Sequence, residues 1–255
     1  MRLKLLVSND DGMLAHGLEC LVAAAEPLGE VWVVAPDREQ SAMSHSLTLH
    51  HPLRPVKRGD RRWQIDGTPT DCVMIAVEAL LPDRPDFVLS GINHGQNMGE
   101  DVLYSGTVAA AMEGLALGIP SIAVSFAGGD LRADVSHLRQ LISALTPLLR
   151  HLTSLQPFPA ATLFNVNLPP LPSEQIKGVR LTRLGRRVYP GSLQPMSDPW
   201  GRKVYWIGGG EISWSGEPDS DFRAIEEGYI SVTPLHLDLT NYDILHSAEE
   251  WWRDP

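Results

Sequence analysis

Asp10 and Asp11 stand side by side in "LKLLVSNDDG", directly after an apolar run and directly before Gly12. Adjacent like charges repel; the structural alternative is an Asx-turn and a helix N-cap, with Gly12 as the turn glycine. A pair of carboxylates without thiol or imidazole neighbours suits a hard divalent cation, Mg²⁺ or Mn²⁺, which takes oxygen ligands. Neutral oxygens for the same ion stand in two other polar stretches, Ser41 in "PDREQSAMSHS" and Asn93 in "SGINHGQN". Alone, either is explained as well by local hydrogen bonding in a loop, so their candidacy depends on the aspartate pair. His50, His51 and His94 show no spacing with one another or with cysteine that a zinc site would use.

A second kind of chemistry is offered by "YSGTVAAAMEG", where Ser105, Gly106 and Thr107 open an Ala-rich helical pattern. Hydroxyls and unpaired amides facing outward from a helix N-terminus, at the positive end of its dipole, readily take a phosphate. A plain N-cap is the alternative. Asn97 stands just upstream. His45 has two readings: a group that donates a proton to a leaving oxygen or orients a phosphate, and a loop histidine that only makes surface hydrogen bonds. "GTPTDC" reads as structural, with Thr68 as N-cap, Pro69 at N1 and Asp71 at N3 of a capping box. Cys20 and Cys72, the only cysteines, read as small buried hydrophobes.

The elements that must position these residues alternate. "LKLLVS", "EVWVVAP", "PDFVLSG" and "PSIAVSF" are short, rich in Val, Ile and Leu and non-alternating, as strands buried on both faces are. Helical patterns over 17–28, 69–81 and 107–117 separate them, with Gly29 and Gly118 as candidate C-cap glycines. A longer helical pattern over 134–155 contains Pro147, a candidate kink, and "ATLFNVNLPP" reads as a further strand. The expected fold is α/β, doubly wound around a mostly parallel sheet and Rossmann-like. In such sheets ligands bind beyond the carboxyl ends of the strands, where the polar stretches at 8–11, 37–41 and 90–97 fall.

From Gly185 the texture changes to glycine, proline and aromatics, with a turn at 198–201 between two strand-like arms. The expected organisation is a catalytic core over 1–184. Over 185–255 follow a β-hairpin arm, a returning strand at "EGYISVTPLHLDLT" and a C-terminal tail with a short helix in "ILHSAEEWWR". Tyr205, Trp206 and Trp214 would pack either onto this domain or onto another subunit. The net charge of −10 over 255 residues repels a nucleic-acid polymer or an acidic membrane surface. It permits a small anionic substrate if a metal supplies local positive charge. No stretch approaches the ~20 apolar residues of a membrane span, and no signal peptide precedes the first strand, so the expected compartment is the cytoplasm.

Together "SNDDG", "VVAPDREQSAMSHSLT", "GTPTDC", "SGINHGQNMGEDVLYSGTVAAAMEG" and "GYISVTPL" resemble the SurE family of survival proteins, the metal-dependent 5'-nucleotidases. The motifs occur in that family's order and spacing over residues 1–239. The resemblance implies one divalent cation per subunit on Asp10, Asp11, Ser41 and Asn93. It also implies phosphate contacts from Asn97 and the Ser105-Gly106-Thr107 segment. It further implies hydrolysis of nucleoside 5'- and 3'-monophosphates, with short polyphosphate as a substrate of some members. A homodimer or homotetramer that exchanges the hairpin and tail between subunits is implied as well.

The expected mechanism is in-line attack of a metal-activated water on a phosphomonoester, with Asp10 or Asp11 also accepting a proton. Enzymes with an aspartyl nucleophile typically carry Asp-x-Asp after the first strand, whereas here the two acids are adjacent. A nicotinamide enzyme would need a G-x-G-x-x-G after that strand, which is missing. The non-enzymatic alternative is a nucleotide sensor that binds metal and phosphate without cleavage.

Overall fold

A computed structural model describes residues 2–128, 135–188, 193–207 and 213–247. Nine strands form one sheet in the order β3-β4-β2-β1-β5-β6-β7-β13-β8. They are β1 (Leu3–Ser8), β2 (Gly29–Pro36), β3 (Pro55–Gly59), β4 (Arg62–Ile65), β5 (Phe87–His94), β6 (Ser121–Phe126), β7 (Leu163–Leu168), β8 (Val179–Leu181) and β13 (Ile230–Leu235). β4, β2, β1, β5, β6 and β7 run parallel, and antiparallel pairings occur at β3–β4 and β7–β13.

Both faces of the central strands β1, β5, β6 and β7 are covered, which is why these strands lack polar alternation. Leu5 and Val7 join a core with Leu18 and Leu21 of α1 (His16–Ala25) and Leu145 and Leu149 of α4 (Val135–Thr153). Leu6 points the other way, into a core with Val73 of α2 (Pro69–Ile75) and Ala110 of α3 (Gly106–Ala116). α1 follows β1 on one face and α3 follows β5 on the other. β1 and β5 are neighbours, so the chain order reverses between them and a crevice opens at their carboxyl ends.

Several sequence expectations shift in detail. α1 ends at Ala25 and Gly29 instead opens β2, whereas Gly118 follows α3 with φ 73° as a C-cap glycine does. α2 is shorter than its pattern and continues as a wider turn over Ala76–Leu80. α4 runs through Pro147 without ending.

β3 and β4 carry no apolar run and were not expected: β3 is an exposed edge strand bearing Lys57 and Arg58, charges that blunt an open sheet edge. The arm is present as β10 (Leu193–Ser197) paired with β11 (Lys203–Ile207), and β9 (Arg186–Val188) pairs with β12 (Ser213–Ser215). The returning strand β13 lies between β7 and β8, so the core sheet draws on both sides of residue 185. Of the terminal pattern, Tyr242–Ser247 is helical, and "AEEWWR" lies outside the described residues. Among the described residues no helix is long and apolar enough to cross a membrane.

Candidate metal and phosphate site

The turn after β1 is closed by Asn9, whose Nδ2 donates to Gly12 O at 3.1 Å. Gly12 takes φ 95°, and a Cβ there would lie 3.0 Å from the backbone of Arg38, so glycine answers both the turn and the close approach of the β2 loop. That loop docks through Gln40 N, which donates to Asp10 O at 2.7 Å. Asp10 is buried and Asp11 half-buried.

The N-terminus of α3 meets Asp10 directly. Thr107 Oγ1 donates to Asp10 Oδ1, and a Cβ on Gly106 would sit 2.8 Å from Asp10 Cβ and 2.9 Å from its Oδ2. Gly106 is thus the space Asp10 occupies. The Ser105 hydroxyl accepts from Val108 N at 3.0 Å as an N-cap. The expectation of hydroxyls facing outward is therefore corrected: one caps the helix and the other holds a carboxylate, while the amides of Val108 and Ala109 are spent on Ser105, which leaves the positive end of the helix dipole as what α3 offers an anion.

Burial pushes the Asp10 carboxyl up to about 7; the Thr107 hydroxyl pulls it down, and the neighbouring charge of Asp11 raises it. Among the described residues no lysine or arginine pairs with Asp10. A buried acid beside a second acid, with no cation of its own, fits a site completed by an added positive charge.

The other candidate ligands present the same chemistry. Asn93 donates Nδ2 to Gly95 O at 2.8 Å, and Ser41 Oγ donates to Glu39 Oε1 at 2.7 Å. Each donates to the protein through one N–H or O–H and keeps oxygen lone pairs. Asp11 Oδ2 accepts from His94 N at 3.1 Å, tying the β1 and β5 loops together. Among the described residues no three His, Cys, Asp or Glu side chains converge. Ser8 Oγ at the end of β1, Asn9 Oδ1 just after it and Ser90 Oγ in the middle of β5 are buried without a hydrogen-bond partner, more polar groups than the fold itself uses.

Asn97 is buried and its side chain turns inward, with Nδ2 donating to Ser125 Oγ at 2.8 Å. Its backbone O accepts from Asn165 Nδ2 at 2.8 Å and Asn167 Nδ2 at 3.0 Å, while its N donates to Asn167 Oδ1 at 2.9 Å. Asn97 is therefore built into a polar network that fixes the loop after β5. Asn165 and Asn167 were missed in the sequence, although two buried amides at i and i+2 on an otherwise apolar strand carried the signal.

His45 Nε2 lies 2.8 Å from Glu113 Oε2, and Glu113 is buried seven residues beyond Gly106 in α3. The capping box at Thr68 and Asp71 is present and does more than cap: Thr68 Oγ1 donates to Ser46 O at 2.7 Å, and Asp71 Oδ1 accepts from Thr48 N at 3.0 Å. The segment bearing Ser41 is thereby strapped to α2 and α3. Cys20 and Cys72 are buried, with thiol pKa values raised by desolvation.

The family model described as "Survival protein SurE" matches residues 5–191. The 5'-nucleotidase SurE of Gemmatimonas aurantiaca is 70% identical over 253 residues, 99% of this chain and 100% of that protein. The 5'-nucleotidase SurE of Vibrio cholerae (strain O395) is 46% identical over 256 residues, 100% of this chain and 94% of that protein. The crystal structure of the SurE protein from Aquifex aeolicus superimposes with a TM-score of 0.84 at 41% identity, covering 98% of this chain and 100% of that one. With the motifs, the sheet order and these likenesses in agreement, the chain belongs to the SurE survival-protein family.

Proposed function

We propose that this protein is a divalent-metal-dependent 5'-nucleotidase that hydrolyses nucleoside 5'-monophosphates to nucleoside and phosphate. 3'-Monophosphates and short polyphosphate are further substrates in this reading. One Mg²⁺ or Mn²⁺ per subunit would be held by Asp10, Asp11, Ser41 and Asn93, a cytoplasmic homodimer or homotetramer being the working form. The observation that carries the reading is Asp10: a buried carboxyl next to Asp11, held by Thr107 and, among the described residues, paired with no lysine or arginine. The names carried by relatives at 46% and 70% identity favour the same activity.

When bound, the cation polarises a phosphoryl oxygen and lowers the pKa of a coordinated water. The chain's own groups supply the rest. The positive N-terminal end of α3 stabilises the equatorial oxygens, where charge accumulates in the transition state. Thr107 keeps Asp10 in one rotamer through its hydroxyl. The attacking water gives its proton to Asp10 or Asp11 as the P–O5′ bond breaks, and the departing nucleoside oxygen is protonated from solvent.

Phosphate release from AMP, measured with Mn²⁺ or Mg²⁺, tests this. Release should vanish with EDTA, return with metal, and be lost in Asp11→Asn with the fold kept. Metal-dependent AMP binding without release would make the protein a sensor, and normal turnover by Asp11→Asn would reject the ligand assignment.

A further inference from the structure

Beside Asp11 lies a cleft of about 270 Å³ that none of the proposed metal or phosphate contacts fills. Its lining includes half-buried Asp11 and exposed His94, Leu14 from the turn before α1, His16 at the start of α1, and Asp37 and Arg38 just after β2. The walls are fixed by backbone bonds: Met13 N donates to Pro36 O at 2.8 Å, and Asp37 N to Ile65 O at 2.8 Å.

Two side chains there have no explanation within the fold. Leu14 is 92% exposed although its neighbours Met13 and Gly12 are buried, so an apolar group stands in water on the rim of a polar site. Asp37 follows four buried residues of β2 and is exposed, and it makes no side-chain hydrogen bond or ion pair among the described residues. In doubly wound folds an acid at this distance after the first strand accepts the ribose hydroxyls of a bound nucleotide, because the second strand ends beside the phosphate crevice. Arg38 adds a planar cation that can lie against a base without reading its edge.

We propose that this cleft holds the nucleoside half of the substrate, with the ribose 2'- and 3'-hydroxyls donating to Asp37 and the base lying between Leu14 and Arg38. The inference rests on the nucleotidase reading and adds what that reading leaves open, the part of the protein that recognises the leaving group. The polar contact is with the sugar and the base contact is apolar and planar, so the subsite favours ribonucleotides and discriminates weakly among bases.

The experiment compares AMP with 2',3'-dideoxyadenosine 5'-monophosphate on wild type, Asp37→Ala and Leu14→Ser, each checked for native circular dichroism. Wild type should prefer AMP by about tenfold or more in kcat/KM, the worth of hydrogen bonds to a charged acceptor, and Asp37→Ala should bring that ratio close to one. Leu14→Ser should raise KM for both substrates and keep the ratio. A wild-type ratio near one, or a ratio that Asp37→Ala leaves intact, overturns the assignment. Should wild type release phosphate from neither substrate, the nucleotidase reading falls by itself. Calorimetric affinities for the two ligands then decide the subsite: an AMP preference lost in Asp37→Ala upholds it, and equal affinities reject it.

Discussion

His45 Nε2 and Glu113 Oε2 lie 2.8 Å apart although 68 residues separate them in sequence. Glu113 is a buried carboxyl on the helix that meets Asp10, and His45 belongs to the segment carrying Ser41. The pair therefore latches one proposed ligand segment onto the helix that positions another. Ser44 N, donating to Tyr104 O at 3.1 Å, adds a second fastening beside it. Glu113→Ala should loosen Ser41 and weaken Mn²⁺ binding by roughly tenfold, as loss of a group supporting a ligand does. Glu113→Gln retains an acceptor oxygen and should recover most of that affinity. Calorimetric titration with Mn²⁺ reads both, and equal affinity in all three proteins would remove His45 and Glu113 from the metal site.

Gly106 makes a second, purely steric prediction. A methyl group there would press on Asp10 Cβ at 2.8 Å, against backbone-anchored neighbours that cannot move aside. A shift of about an ångström in a catalytic carboxylate costs on the order of 100-fold in rate. Gly106→Ala should lose that much in kcat with AMP while its circular dichroism stays native. Gly59→Ala is the control: it lies far from the site, and the nearest atoms to its added methyl are 3.9 Å away. Equal rates in the two variants would separate Asp10 from the chemistry.

How much of this was legible before the fold follows from where each partner lies in the chain. The parallel core could be read because strands buried on both faces have no polar alternation, and Leu5, Leu6 and Val7 divide between two cores without any outward-facing position. The paired acids and their place at a sheet edge were legible for the same reason. Thr107 holding Asp10 and Glu113 holding His45 were not, because contacts across 97 and 68 residues leave no local pattern. The inward turn of Asn97 was hidden likewise, since its partners are on β6 and β7. β3 escaped notice because an exposed edge strand buries no face and so imposes no period on its sequence.

The raised pKa of Asp10 fixes the sign of a pH effect in protein stripped of metal with EDTA. Its folded value of about 7 lies above the ordinary 3.8, so the folded state holds the proton more tightly than the unfolded one. The associated stability is complete below about pH 4 and is lost as pH rises through about 7. The melting temperature of the stripped protein should therefore drop by roughly 5–10 °C between pH 4.5 and 7.5 more than in Asp10→Asn. Added Mn²⁺ should restore wild type at pH 7.5 and leave the variant unmoved, because the ion takes the place of the proton. Parallel pH profiles for the two proteins, or equal rescue by Mn²⁺, would contradict the buried-acid account.

The arm leads to the last prediction. In the β10–β11 ribbon Leu193 pairs with Ile207 and Pro195 with Tyr205 on one face, and Met196 pairs with Val204 and Gln194 with Trp206 on the other. Tyr205, Trp206 and Ile207 are 60%, 67% and 88% exposed, so both faces are apolar and both stand in solvent. Trp214 escapes this by stacking on Phe222 with ring centroids 3.7 Å apart. A two-stranded ribbon is marginal in water without a covering layer, and exposed apolar surface of this kind marks an interface. A second copy of the chain is the cover that fits the homodimer or homotetramer proposed above. Sedimentation should find the wild type as a dimer or tetramer at micromolar concentration, and Trp206→Glu combined with Ile207→Glu should lower the order. A wild type that sediments as a monomer throughout would leave the ribbon needing a different partner.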